Sequence, residues 1–129
     1  MSFLEITSLS ARVGPVPILR DVSLNVAAGE VRALVGESGA GKSMIGKAIL
    51  GTLPGAIRIT GGEIRLDGQN LLALRPAERR RVIGQTAALI PQDPLTALNP
   101  VRRIGPQITR RLVDILGWSK RDAEARALE

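Results

Sequence analysis

At the start of the chain apolar and polar residues alternate. Leu4 and Ile6 stand against Glu5 and Thr7 across Leu4 to Leu9, the period of a half-buried strand. Val22, Leu24 and Val26 repeat that period, and Ala28-Gly29-Glu30 supplies a turn. Val31 to Val35 is instead a short, mostly apolar run bounded by glycines, the pattern of a parallel strand buried on both faces. Met44 to Leu50 predicts a helix: Met44, Ile45, Ala48 and Ile49 share one face, and Gly51 and Pro54 stop it. Short strands return between Ile57 and Leu74, where Glu63 to Leu66 alternates and Asp67-Gly68 is a hairpin turn signal. Pro76 to Ile83 reads as a short basic helix with proline in its first turn, and Ala87 to Ile90 as a second buried strand ended by Pro91.

The last third is helical in period. Ile104, Ile108, Leu112, Ile115 and Leu116 recur on one face, with Gly117 as the stop. Ser119 followed three residues later by Asp122 is the start of another helix, with Asp in the place of the usual Glu of a capping box. That helix runs to Glu129, and a capped helix without a following partner gives the expectation of an incomplete chain.

Composition narrows the chemistry. The 129 residues suit one modest domain, and 44% of them are hydrophobic, enough for a core. With no cysteine there is no disulfide framework, thiolate metal site or thiolate nucleophile. With no histidine there is no Ser-His-Asp triad, imidazole zinc site or imidazole acid/base. No apolar run approaches the roughly 18 residues of a spanning helix, and Met1 to Ser10 lacks a signal-peptide pattern, so a soluble, intracellular chain is expected. The net charge of +6 raises the question of nucleic acid, with Arg79-Arg80-Arg81 as the densest basic run. Phe3 and Trp118 are the only aromatics, which leaves no stacking platform for single strands, and helical charge runs are ordinarily solvated faces.

One motif carries chemistry. Gly36-Glu-Ser-Gly-Ala-Gly-Lys-Ser43 matches G-x-x-x-x-G-K-S and lies between an expected buried strand and an expected helix. Glycines let successive N–H groups converge on a phosphate, and the helix that follows adds the positive end of its dipole. Lys42 is long enough to reach the β- and γ-phosphates, and the Ser43 hydroxyl is a hard ligand suited to Mg²⁺. Phosphate binding through Gly36, Glu37, Ser38, Gly39, Ala40, Gly41, Lys42 and Ser43 is the expectation.

Together with Leu19 to Leu24 and Ala28-Gly-Glu30, this loop resembles that of an ABC transporter ATP-binding subunit. Ile90-Pro-Gln-Asp-Pro-Leu-Thr-Ala-Leu-Asn-Pro100 sharpens the likeness, being similar to the Q-loop of the oligopeptide/dipeptide/nickel importer group. The resemblance covers almost the whole chain and implies an α/β P-loop NTPase fold, the ABC ATPase core, with an N-terminal antiparallel β-subdomain and the start of a helical subdomain. Residues 1–129 would be the N-terminal part of one ATP-binding domain: 1–35 and 57–74 mainly β, 36–51 the P-loop and its helix, 87–100 a strand and the Q-loop, and 101–129 the start of the helical subdomain. It implies ATP and Mg²⁺ as ligands, with Gln92 reaching the metal and the attacking water, and with Val13 at the position where the family usually stacks an aromatic on adenine. The implied partners are permease subunits, met through the segment after Gln92, and a second ATP-binding subunit. The implied place is the cytoplasmic side, peripheral on the inner face of the cell membrane.

The family's Leu-Ser-Gly-Gly-Gln signature, its Walker B strand ending in Asp-Glu and its switch histidine do not occur among these residues. Three stretches could disguise a Walker B acid: Ile64 to Asp67 runs into a turn, Leu112 to Asp114 lies on an amphipathic helix, and Ala87 to Ile90 runs into proline. The chain is therefore expected to bind nucleotide without turning it over, and Val31–Val35 and Ala87–Ile90, without the central Walker B strand that the resemblance implies, to show apolar edges and faces to water. The rival expectations are another P-loop phosphotransferase, for which no phosphoacceptor site is evident, and a basic nucleic-acid-binding module.

Overall fold

The computed structural model describes residues 2–93 and 96–129, which divide into two compact units, one up to Arg80 and one from Arg81 onward. In the first, strands β1 (Ser2–Val13), β2 (Val16–Ala27), β3 (Ile57–Leu66) and β4 (Gln69–Asn70) form one antiparallel sheet in the order β2-β1-β3-β4. Between β2 and β3 lies helix α1 (Lys42–Leu50), which packs on β2 and buries Ile45 and Ala48. β1 and β2 are joined through Gly14-Pro15, with Gly14 at φ 50° in the first central position, where a tight hairpin turn needs a left-handed residue.

The sheet is longer than simple alternation allows, because the pairing register slips at several points along its long strands. In β1 the buried Ile6 and Leu9 are three positions apart, yet share a face, since Ser8 is a bulge at φ 50°. In β2 the same slip falls at Asp21, φ 49°, between the inward Leu19 and Val22. In β3 the extra residue is Thr60, between Ile59 paired with Ala11 and Gly61 paired with Ser10, which brings Ile59 and the fully buried Ile64 to one face. The amides freed by the bulges are not left bare. Ser8 N–H donates to Ser23 Oγ at 2.8 Å and Asp21 N–H to Ser10 Oγ at 3.0 Å. The result is one continuous apolar face carrying Ile6, Leu9, Ala11, Leu19, Ile64 and Leu66.

Asp67 and Gly68, at φ 47° and 78°, make the turn expected of Asp-Gly and return the chain into β4, after which Leu71 is buried. Asp67 is thereby a turn residue, not a site acid.

In the second unit, helix α3 (Ile104–Asp114) packs with α4 (Lys120–Leu128), and helix α2 (Pro76–Thr86) leads into it from the first. Arg111 Nε donates to Gly84 O at 2.9 Å, tying α3 to the end of α2. Asp114, the second disguised candidate, is an exposed partner of Arg110. Ser119 caps α4 as its sequence predicts: its hydroxyl accepts from Asp122 N–H at 3.1 Å and donates to Asp122 Oδ2 at 2.7 Å.

Two expected strands are not strands. Val31–Val35 and Ala87–Ile90 have no regular structure, and Val31, Val35 and Ile90 are 96%, 93% and 93% exposed. An all-apolar strand is stable only when ladder partners and packed layers remove both its edges and both its faces from water. Among the described residues neither segment has such a partner. Residues 31–35 are accordingly not part of the β-region and no strand precedes Gln92. Pro94 and Leu95, which the sequence places in the turn after Gln92, lie outside the described residues.

The bulge of β1 at Ser8 presses close on Gly62 of β3. A Cβ on Gly62, at φ 93°, would sit 2.5 Å from Ser8 O, whereas one on Gly61 meets nothing within 4 Å. Gly62→Ala should therefore cost about 3 kcal/mol in urea denaturation, with Gly61→Ala within about 1 kcal/mol of the parent. Ser119→Ala should cost about 1 kcal/mol and reduce helicity by circular dichroism, through loss of the α4 cap.

Candidate functional site

After β2 the backbone is fastened before it enters the glycine-rich loop. Glu30 accepts from Ala27 N–H at 2.7 Å and pairs with Arg32 at 2.5 Å, so that the end of the strand is clipped to the start of the loop. The Ala27 hydrogen bond first, and the Arg32 charge second, hold the Glu30 carboxyl below its ordinary 4.5.

The loop from Gly36 to Gly41 then curls on itself. Ala40 N–H donates to Glu37 O at 3.2 Å, and Gly39 and Gly41 stand at φ 84° and 90°. Gly41 is the residue before α1, and its carbonyl accepts from Met44 N–H and Ile45 N–H at 3.0 and 3.2 Å to start the helix. Lys42, the first helical residue, folds back over the loop: Nζ donates to Gly36 O at 2.6 Å and to Glu37 O at 2.5 Å. A Cβ on Gly36 would lie 3.6 Å from Ala40 Cβ and 3.9 Å from Lys42 Nζ, so both ends of the loop approach one ammonium.

Among the described residues, the amides of Gly39, Gly41, Lys42 and Ser43 donate to no protein group. Gly41, Lys42 and Ser43 stand at the positive end of α1, and the loop residues before them, 31–40, are all exposed. Converging amides, a helix N-terminus and one cation form an anion cradle. Ser43 is exposed and its hydroxyl has no protein hydrogen bond, which leaves it free to ligate a hard cation that draws its other ligands from phosphate and water. No cluster of three or more carboxylates, histidines or cysteines able to hold a metal by itself occurs among the described residues.

The remaining sequence candidates are less enclosed. Val13 is half-buried at the hairpin end of the sheet, paired with Val16 and Ile57. It stands two rungs, about 7 Å, from the Ala11–Leu19 pair. Gln92 is exposed, lies at a bend and belongs to the second unit. What sequence reasoning missed is the seat of the loop. A Cβ on Gly41 would lie 3.2 Å from Leu19 Cδ2 and 3.3 Å from Ile18 O, both on β2. In the sequence Leu19 entered only as part of the Leu19 to Leu24 stretch that carries the family resemblance.

Residues 19–128 match the ABC transporter family, and the chain belongs to it. Membership implies ATP binding, and it favours neither an unrelated phosphotransferase nor a nucleic-acid-binding module. The chain is 42% identical over 117 residues to the dipeptide transport ATP-binding protein DppD of Lactococcus lactis subsp. cremoris, covering 90% of this chain and 34% of that one. It is 37% identical over 136 residues to the peptide transport system ATP-binding protein SapD of Salmonella typhimurium, covering 95% and 41%. A solved structure, described as the ATP binding subunit of an ABC transporter, superposes with a TM-score of 0.70 at 30% identity over 97% of this chain and 47% of that one. The chain thus spans about a third to just under half the length of these relatives. Among the described residues no helix is long and apolar enough to cross a membrane.

The lowered Glu30 acidity gives a pH signature. A carboxyl held below its unfolded value stabilises the fold above about pH 4.5, and this contribution is lost as pH falls through the lower folded value. Glu30→Gln should therefore be less stable than the parent at neutral pH, and the gap should close in acid, as read by thermal melts from pH 7 down to pH 3.

Proposed function

We propose that this chain grips the phosphates of ATP within an ABC importer's ATP-binding subunit, whose hydrolysis drives uptake of peptides or related solutes. The observation that carries the reading is the curled loop with its unbonded amides and the Lys42 ammonium at its mouth. In this reading Gly36 to Ser43 wraps the β- and γ-phosphates. Glu37, Ser38 and Ala40 contribute backbone, and Lys42 exchanges its carbonyl partners for phosphate oxygens. The Ser43 hydroxyl contributes one ligand to Mg²⁺, which would neutralise phosphate charge. Val13 offers an apolar contact to adenine without the π-face an aromatic would bring. Gln92 has an amide able both to ligate a hard cation and to hydrogen-bond water, and so suits the metal and attacking-water role.

The relatives named for dipeptide and peptide transport support the importer class. The segment after Gln92 would meet permease subunits at the inner face of the membrane, and a second ATP-binding subunit would complete the nucleotide site.

Hydrolysis requires a group that orients or deprotonates water and donors for the charge developing on the γ-phosphate. These 129 residues hold the phosphate grip and Gln92, with no histidine and no Asp-Glu pair. Binding without turnover follows for this chain by itself.

A titration with a fluorescent ATP analogue in the presence of Mg²⁺ should saturate, and Lys42→Ala should weaken it by roughly tenfold or more, with phosphate release at background in both. Binding indifferent to Lys42 would overturn the phosphate-grip assignment. Steady turnover dependent on Lys42 would overturn the claim of inactivity.

A further inference from the structure

We infer that Leu19 is a positioning residue for the nucleotide loop, and that the irregularity of β2 beside it is the loop's mechanical seat. The inference rests on the phosphate-grip reading and asks what holds the grip in shape. Three observations converge on it.

The pairing of β1 with β2 steps from Ala11–Leu19 to Arg12–Pro17, which leaves Ile18 as an extra residue without a partner on β1. A bulge of this kind bends the strand and re-aims its groups. Ile18 O is one of the two atoms nearest the space beside Gly41, 3.3 Å from where a Cβ would stand, and Leu19 Cδ2 is the other, at 3.2 Å. Leu19 is 3% exposed, so the methyl that touches the loop is anchored in the core. Gly41, at φ 90°, is the last loop residue before α1 and therefore sets the direction in which the amides of Lys42 and Ser43 point.

Chemistry explains why such a support is needed. An anion cradle of backbone amides works only if its donors are held in place before the phosphate arrives, because the ordering entropy would otherwise be subtracted from binding. Residues 31–40 are all exposed and bring no packing of their own. At one end the loop is clipped by Glu30; at the other its support is the wall made by Ile18 and Leu19. Leu19 touches no phosphate in this scheme; it acts through Gly41.

The test separates this role from ordinary core packing. Leu19→Val removes the methyl that faces Gly41 while keeping most of the core volume. Leu19→Ala removes more. Leu71→Ala, at an equally buried position after β4, serves as the stability control. For each full chain, melting temperature and affinity for a fluorescent ATP analogue with Mg²⁺ are measured, and Leu19→Met is included as the conservative rescue. The expected result is a loss of affinity of about fivefold to tenfold in Leu19→Val, larger in Leu19→Ala and mostly restored in Leu19→Met. Leu71→Ala should lower the melting temperature and leave affinity within about twofold of the parent. Parental affinity in folded Leu19→Val, or a loss in Leu71→Ala that tracks its melting temperature as Leu19→Val does, overturns the positioning role. If Leu19→Ala does not fold, Leu19→Val against Leu71→Ala decides. If the parent chain binds no analogue, the phosphate-grip reading fails and takes this inference with it, whereas parental binding lost in Lys42→Ala but not in Leu19→Val sinks the inference alone.

Discussion

The first unit depends on a shared geometrical constraint: its three long strands must slip together if a single apolar face is to run the length of the sheet. Because side chains alternate, a bulge in one strand alone would turn half of that strand's hydrophobic set toward water. Here matching slips at Ser8 in β1, at Asp21 in β2 and at Thr60 in β3 keep Ile6, Leu9, Leu19, Ile64 and Leu66 on one side. Ser8 and Asp21 adopt left-handed backbone at a cost of roughly 1–3 kcal/mol each. That cost is offset by the serine hydroxyls that accept their amides and by the burial of the face the slips preserve. Helix α1 packs against β2 and buries Ile45 and Ala48, and the glycine-rich loop is the segment that leads from β2 to α1. The loop therefore inherits its shape from the sheet's irregularities.

This explains which parts of the molecule the sequence discloses. Local signals are read directly, because the groups that make them are neighbours in the chain. Asp67-Gly68 turns, Ser119 caps, Gly51 ends α1 at φ 67°, and the glycines between Gly36 and Lys42 curl. The slips are hidden, because Thr7-Ser8 or Arg20-Asp21 carries no sign of being a bulge until the hydroxyl of Ser23 or Ser10 is brought opposite it. The seat of Gly41 is hidden for the same reason: Leu19 lies 22 positions earlier, and a leucine in an alternating strand signals burial and nothing more. The phosphate loop could be named from one motif, while what braces it required the sheet.

Val31–Val35 and Ala87–Ile90 show the opposite relation between sequence and structure. Their composition is that of buried strands, yet both are open to water. Strand propensity is mainly a statement about fitting a packed, pleated surface, and without such a surface it has little force of its own. The antiparallel sheet does not depend on them, since β1, β2 and β3 complete their ladders with one another. The same contrast appears in the helices: α4 begins with a full cap although most of its surface is exposed, because a cap is local and a packed face is not.

The grip on phosphate and the chemistry on phosphate thus have different structural requirements. A grip needs converging amides, a helix N-terminus and one cation, all of which lie within eight consecutive residues and one contact to β2. Cleavage needs a group aligned with the attacking water and donors for the charge developing on the γ-phosphate. Gln92 illustrates the division. Its amide is of a kind that can ligate a hard cation and hydrogen-bond water, and it belongs to a separate compact unit from the loop. A phosphate grip of this kind needs none of the groups that cleave phosphate, because its donors are backbone amides and one side chain set by local structure.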